Sequence, residues 1–114
     1  MVNRPKRKGD RGELEAAAIL TEALGLPIRR KLGAGRADDT GDLDGVPGHV
    51  VQIANWEDTA AAARVKPTAA EQQRINASEA HAASIIRFRG GTFRVVLTVE
   101  QWTRYLRAMG LVEG

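Results

Sequence analysis

Residues 41 to 55, GDLDGVPGHVVQIAN, constrain this chain more than any other stretch. Side chains of a strand alternate between two faces, so Val50, Gln52 and Ala54 share one face while Val51, Ile53 and Asn55 share the other. Pro47 and Gly48 mark a turn before this run, and an acidic pair, Asp42 and Asp44, stands ahead of the turn. If the two arms form a hairpin, Asp42 at the end of one strand lies beside Gln52 on the next. Two oxygen-bearing side chains then meet, which is what a hard cation needs. Read without function, Asp42 and Asp44 are turn-forming carboxylates. Gln52 is harder to set aside, because a polar side chain within VVQI must find partners once buried.

The 114 residues suffice for one domain with a modest core. Aromatic residues make up only 4% of them, so that core is expected to be aliphatic. The absence of cysteine excludes disulfides, thiolate nucleophiles and cysteine zinc sites. His49 and His81 are too few for a histidine zinc site and have no acid or nucleophile at a telling spacing, so both read as structural. No apolar run approaches the ~18 residues that span a bilayer, and the amino terminus lacks the apolar core of a signal peptide. A soluble, cytoplasmic protein is expected. The net charge of +3 is concentrated in two clusters, Arg4, Lys6, Arg7, Lys8 and Arg11, then Arg29, Arg30, Lys31 and Arg36. Both suit contact with phosphates and both are equally readable as solvated basic surface.

Residues 1 to 9 read as a basic flexible arm, residues 10 to 110 as the folded domain and residues 111 to 114 as a tail. A first helix is expected from Asp10, with Glu13 completing a capping box and Leu14, Ala17, Ala18, Thr21 and Leu24 forming the apolar stripe. Glu13 then points along the buried edge and Glu15 toward solvent. Gly25 ends the helix, residues 27 to 32 are extended, and residues 33 to 41 form a glycine-containing loop without the Gly-Lys-Ser/Thr ending of a Walker loop. Residues 55 to 65 resist assignment, with Trp56 read as a packing anchor. Thr68 and Glu71 form a second capping box for a helix reaching Ala82. Strands over residues 84 to 88 and 92 to 98 meet at Gly90-Gly91, and Thr98 with Gln101 caps a last helix holding Trp102, Tyr105, Leu106 and Met109. The expected order is helix, three strands, helix, two strands, helix.

The opening KGDRGELE and the segment GDLDGVPGHVVQIAN together resemble the PD-(D/E)XK nuclease superfamily, and more narrowly its Holliday-junction-resolvase-like members from archaea and phages. The first matches that family's Lys-Gly-x-x-x-Glu helix start. The second matches Gly-Asp-hydrophobic-x-Gly-x-Pro-Gly followed by a strand that in the family reads Glu-hydrophobic-Lys-Asn. The resemblance implies an α/β, restriction-endonuclease-like core, with a central mixed sheet of about five strands flanked by helices. It also implies a Mg²⁺- or Mn²⁺-dependent endonuclease acting on branched DNA. A homodimer is implied as well, since symmetrical cutting of a four-way junction takes two sites, and a phage-encoded member works in the host cytoplasm.

Carried over residue by residue, Glu13 falls on the acidic position of the first helix, Asp42 on the metal-binding aspartate, Gln52 on the acidic member of the pair and Ala54 on the lysine. The resemblance places the metal among Glu13, Asp42, Gln52 and the backbone carbonyl of Ile53. Gln52 keeps a hard oxygen but loses its charge. Ala54 cannot orient an attacking water or stabilise charge developing on phosphate, the work of the family's lysine. Three explanations follow. The chain is an inactivated form of an enzyme with lysine at position 54, which we take as the working expectation; or it is a natural DNA-binding or regulatory module that no longer cuts; or Lys66 or an arginine reaches back into the site. Apart from the resemblance, Glu13 is simply a capping-box partner.

Overall fold

The computed structural model describes residues 4–31 and 41–113, with side chains from residue 8 onward. Eight elements follow in the expected order: α1 (Arg4–Leu24), β1 (Arg29–Arg30), β2 (Leu43–Asp44), β3 (His49–Ala54), α2 (Thr59–Ala77), β4 (His81–Phe88), β5 (Thr92–Val96) and α3 (Val99–Ala108). The strands form one sheet in the order β1-β2-β3-β4-β5. Only β3 and β4 run parallel, because α2 is the crossover between them; the other neighbours are antiparallel. The protein is thus α/β, a five-stranded mixed sheet flanked by three helices.

The alternation read in residues 50 to 55 sorts the core into two layers. Val51 and Ile53 join Ile85, Leu43 and Ile28 against Ala16 and Ala17 of α1. On the other face, Ala54 and Ile86 pack with Ala62 of α2. The capping box of Thr98 and Gln101 forms as expected, each side chain bonding the other's backbone. Gln101, almost fully buried, also donates from Nε2 to the Pro67 carbonyl and to Glu71 Oε1, fastening α3 to α2. No helix among the described residues is long and apolar enough to cross a membrane.

Several boundaries differ from expectation. Residues 4 to 9, read as an arm, are the first turns of α1. Pro5 sits where its missing N–H has no intrahelical partner to lose. Asp10 is therefore inside the helix and pairs with Arg30 at 3.2 Å instead of capping. The buried side of α1 is made of small residues, Gly12, Ala16 and Ala17 with Leu20 behind them, while Leu14 is 57% and Leu24 50% exposed. Glu15 is held by Arg87 at 3.0 Å. Asp42 precedes β2 instead of ending a strand.

The second helix begins at Thr59, capped by the Asp58 carboxylate, which accepts from Ala61 N at 2.9 Å. It runs through Pro67, and Glu71 turns to Arg74 and Arg104 instead of closing a box with Thr68. It ends at Ala77, before a left-handed Ser78, so His81 and Ala82 belong to β4. His49, His81 and Tyr105 stack at the opposite end of β3 and β4 from Ala54, with ring centroids 4.5 to 5.4 Å apart, which fits the structural role expected of both histidines. The loop over residues 33 to 40 lies outside the described residues.

Candidate functional site

Gly12 determines how closely α1 approaches the sheet. A Cβ there would lie 2.9 Å from Asn55 Cβ and 3.6 Å from Ile53 Cγ2, so only glycine lets the helix rest on the end of β3. Asn55 secures the contact by donating from Nδ2 to the Lys8 carbonyl at 2.9 Å. Glu13, the next residue, is thereby brought to the carboxyl end of β3. Asp42, the residue just before β2, reaches the same place. Gly41, at φ +102°, passes so near Val50 and Val51 that a Cβ would meet Val50 Cγ1 at 2.8 Å. Asp42 then pairs with β3 through its N–H to Val51 O, and its Oδ2 accepts from Ile53 N, both at 2.8 Å. Extended from Leu43 opposite Val51, this register sets Asp42 across from Gln52.

Glu13, Asp42 and Ile53 line a cleft of roughly 550 Å³, with Lys8, Lys66 and Trp56 also on its walls. Glu57 adds a third carboxylate to the lining. Burial pushes the Glu13 carboxyl up to about 7, and the Asp42 carboxylate pushes in the same direction, opposed by the charges of Arg30 and Lys66. Two carboxylates brought together against their own repulsion are hard oxygen donors of the kind Mg²⁺ or Mn²⁺ takes, ions that keep several of their own waters. Among the described residues no three acidic or histidine side chains gather tightly enough to hold an ion by themselves. Water, carbonyl or substrate oxygen must complete any such coordination.

Gln52 is not on the cleft wall. It is 3% exposed and faces α2, where Nε2 donates to Gln73 Oε1 and Oε1 accepts from Lys66 Nζ at 2.9 Å. Of the four residues expected around a metal, then, Glu13, Asp42 and Ile53 line the cleft, whereas the Gln52 oxygen is engaged by a lysine. Ala54 lies deeper in the α2 layer.

Of the basic residues, Lys8 lines the cleft, Arg11 and Arg29 are exposed, Lys31 is half-buried and Arg30 is paired with Asp10. The side chains of Arg4, Lys6 and Arg7, and all of Arg36, lie outside the described set. Trp56, expected as an anchor, is 40% exposed with the Lys66 amine 5.5 Å from its ring centre. Lys66, weighed above as a side chain that reaches back into the site, does line the cleft, and the sequence holds a further signal for it. Once the helix is carried through Pro67, Ala62, Lys66, Ala70 and Gln73 form a single stripe, and a lysine in the middle of a buried stripe needs a purpose. Comparison with protein-family models, curated proteins and solved structures returns no match.

Proposed function

We propose that this protein is a divalent-metal-dependent DNA endonuclease that hydrolyses phosphodiesters in branched or otherwise structured DNA. The observation that carries the reading is the meeting of Glu13 and Asp42, from separate elements, in one cleft with amines on its walls. Glu13, Asp42 and the Ile53 carbonyl would hold Mg²⁺ or Mn²⁺. When bound, such an ion lowers the pKa of a coordinated water and neutralises charge on the phosphate. Lys8 and Lys66 draw the phosphodiester in, and the exposed part of Trp56 offers a face for a sugar or base. The basic residues of α1 and β1 extend the phosphate contact beyond the cleft, so affinity falls steeply with added salt. A homodimer belongs to the same proposal, supported by the exposed apolar residues of α3.

The test is incubation of the purified chain with four-way junctions, duplex and single strands, with Mg²⁺, Mn²⁺ or chelator. The expected result is metal-dependent nicking, strongest on the branched substrate and abolished by Asp42→Ala. Salt-sensitive binding with no cutting under any of these conditions assigns the chain instead to a DNA-binding module.

A further inference from the structure

We propose that Lys66, reaching across from α2, supplies the cation that residue 54 lacks, and that Ala54 is a packing residue of this fold. The inference rests on the endonuclease reading and assigns one part of that site.

Ala54 is 2% exposed and lies in a layer with Ala62 and Ile86, both fully enclosed. Phe88 and Val96 pack against the same layer. A lysine at 54 adds methylenes and a charge to a place already filled by small apolar groups, and both additions oppose folding. The alanine pair 54 and 62 instead allows α2 to lie close to β3. That closeness brings the next turn of α2, with Lys66, onto the strand.

Lys66 is half-buried on the side of α2 that carries the buried Ala62 and Ala70, and it lines the cleft. Nζ donates to Gln52 Oε1 at 2.9 Å. Gln52 sits two residues before Ala54 on the same face of β3, so the amine bonds to the face of the strand that also carries position 54. The glutamine cannot turn around. Its Nε2 is committed to Gln73 Oε1, and an ammonium group has only donors, so Oε1 must face the lysine. Gln52 is therefore a positioning residue for Lys66.

The two departures from the family pattern become one arrangement. A glutamate at 52 would neutralise a lysine bonded to it, whereas the neutral amide orients Lys66 and leaves its full charge for a phosphate oxygen. Two ammonium protons remain for that oxygen or for the attacking water. Glu13 and Asp42 stand on the same cleft.

The chain has no cysteine, so Lys66→Cys can be alkylated at that one position with 2-bromoethylamine, rebuilding an amine at nearly the original length. Single-turnover cleavage of a four-way junction with Mn²⁺ is compared among the wild type, Lys66→Gln, Lys66→Cys before and after alkylation, and Ala54→Lys. Junction binding in Ca²⁺ and thermal melting are followed in parallel. The expected result is cleavage by the wild type and a loss of roughly 100-fold or more in Lys66→Gln and unmodified Lys66→Cys. Melting stays near the wild-type value, junction binding falls far less than the rate does, and alkylation restores the rate.

Equal cleavage by wild type and a folded Lys66→Gln overturns the role of Lys66 and leaves the endonuclease reading standing. An inert wild type beside an active Ala54→Lys does the same, and identifies the chain as an enzyme that has lost its lysine. Inertness of both overturns the inference together with the reading on which it rests. Should Lys66→Gln unfold, the two states of Lys66→Cys decide: a rate that does not return on alkylation counts against the proposal.

Discussion

Burial and the neighbouring Asp42 carboxylate raise Glu13 to about 7, well above its ordinary value of 4.5, and this has a consequence for stability. Below pH 4.5 the group is protonated both folded and unfolded, so it costs nothing. Between pH 4.5 and 7 the folded state holds a proton that the unfolded state has released, so stability falls as pH rises through that window and levels off above it. Glu13→Gln removes the loss. Discounting for its partial exposure, we expect the variant to be more stable than wild type by about 1–3 kcal/mol at pH 8 in chelator, and equal to it at pH 4. Urea unfolding at the two pH values checks this; a difference that does not grow with pH would show that burial and Asp42 do not raise the Glu13 carboxyl. Residues of this kind were only partly legible in the sequence. Glu13 and Asp42 stood out because glycines and spacing flanked them. Gln52 was legible as a buried polar group, but its partners were not, since Lys66 and Gln73 come from a helix whose start was placed at Thr68.

At the level of elements, capping signatures had opposite fates for physical reasons. Thr98 and Gln101 follow a strand and form a true box, whereas Asp10 with Glu13 and Thr68 with Glu71 lie inside longer helices, where tertiary partners compete for the same side chains. Strand order survived because alternation and turn glycines are local signals; the starts of α1 and α2 did not, because Pro5 falls where a missing N–H costs no intrahelical bond and α2 continues through Pro67. Glu71 shows the competing force. Burial by itself raises its pKa, but hydrogen bonds from Arg104, Arg74 and Gln101 prevail and hold it at about 2. That stabilisation is present above pH 4.5 and is lost as pH falls toward 2. Glu71→Gln should cost about 1–2 kcal/mol at pH 7, allowing for solvent screening of partly exposed arginines, and nothing near pH 2. Denaturation curves across that range measure it. Gly12 tests the placement of α1. Alanine favours a helix interior over glycine by about 0.5–1 kcal/mol, but a Cβ 2.9 Å from Asn55 Cβ forces the helix outward. Overpacking of this kind costs about 1–3 kcal/mol, so Gly12→Ala is expected to lower stability on balance. Because Glu13 moves with the helix, cleavage should drop by more than DNA binding does.

On the scale of the whole molecule, α3 is attached by its polar side. Gln101 is its one buried residue among those described, and Arg104 joins Glu71 through both guanidinium nitrogens. Val99, Trp102 and Met109 are left at helical spacing on the outer side, 75%, 56% and 67% exposed. Leu111 and Val112, just after the helix, are exposed as well, as is Val95 of β5, an edge strand of the sheet. Trp102 and Met109, which the sequence sets with Tyr105 and Leu106 as the apolar residues of the last helix, are thus not packed on the sheet; a helix pattern is the same whether the partner is its own sheet or another chain. So many large apolar side chains exposed on one helix and just after it are unusual on a monomer and typical of an interface centre. In the proposed endonuclease a second copy would cover it and give two active clefts per assembly. Trp102 lies near the middle of the stripe, where a buried aromatic contributes most to association. Sedimentation at micromolar concentrations should therefore find a dimer for the wild type and a monomer for Trp102→Glu. In that dimer the apolar contacts of Trp102 would lie between chains, so the melting temperature of Trp102→Glu should depend less on protein concentration than that of the wild type. A wild type that sediments as a monomer at every concentration would leave α3 bare and remove the dimer from the proposed mechanism, while the cleft at Glu13 and Asp42 would be unaffected.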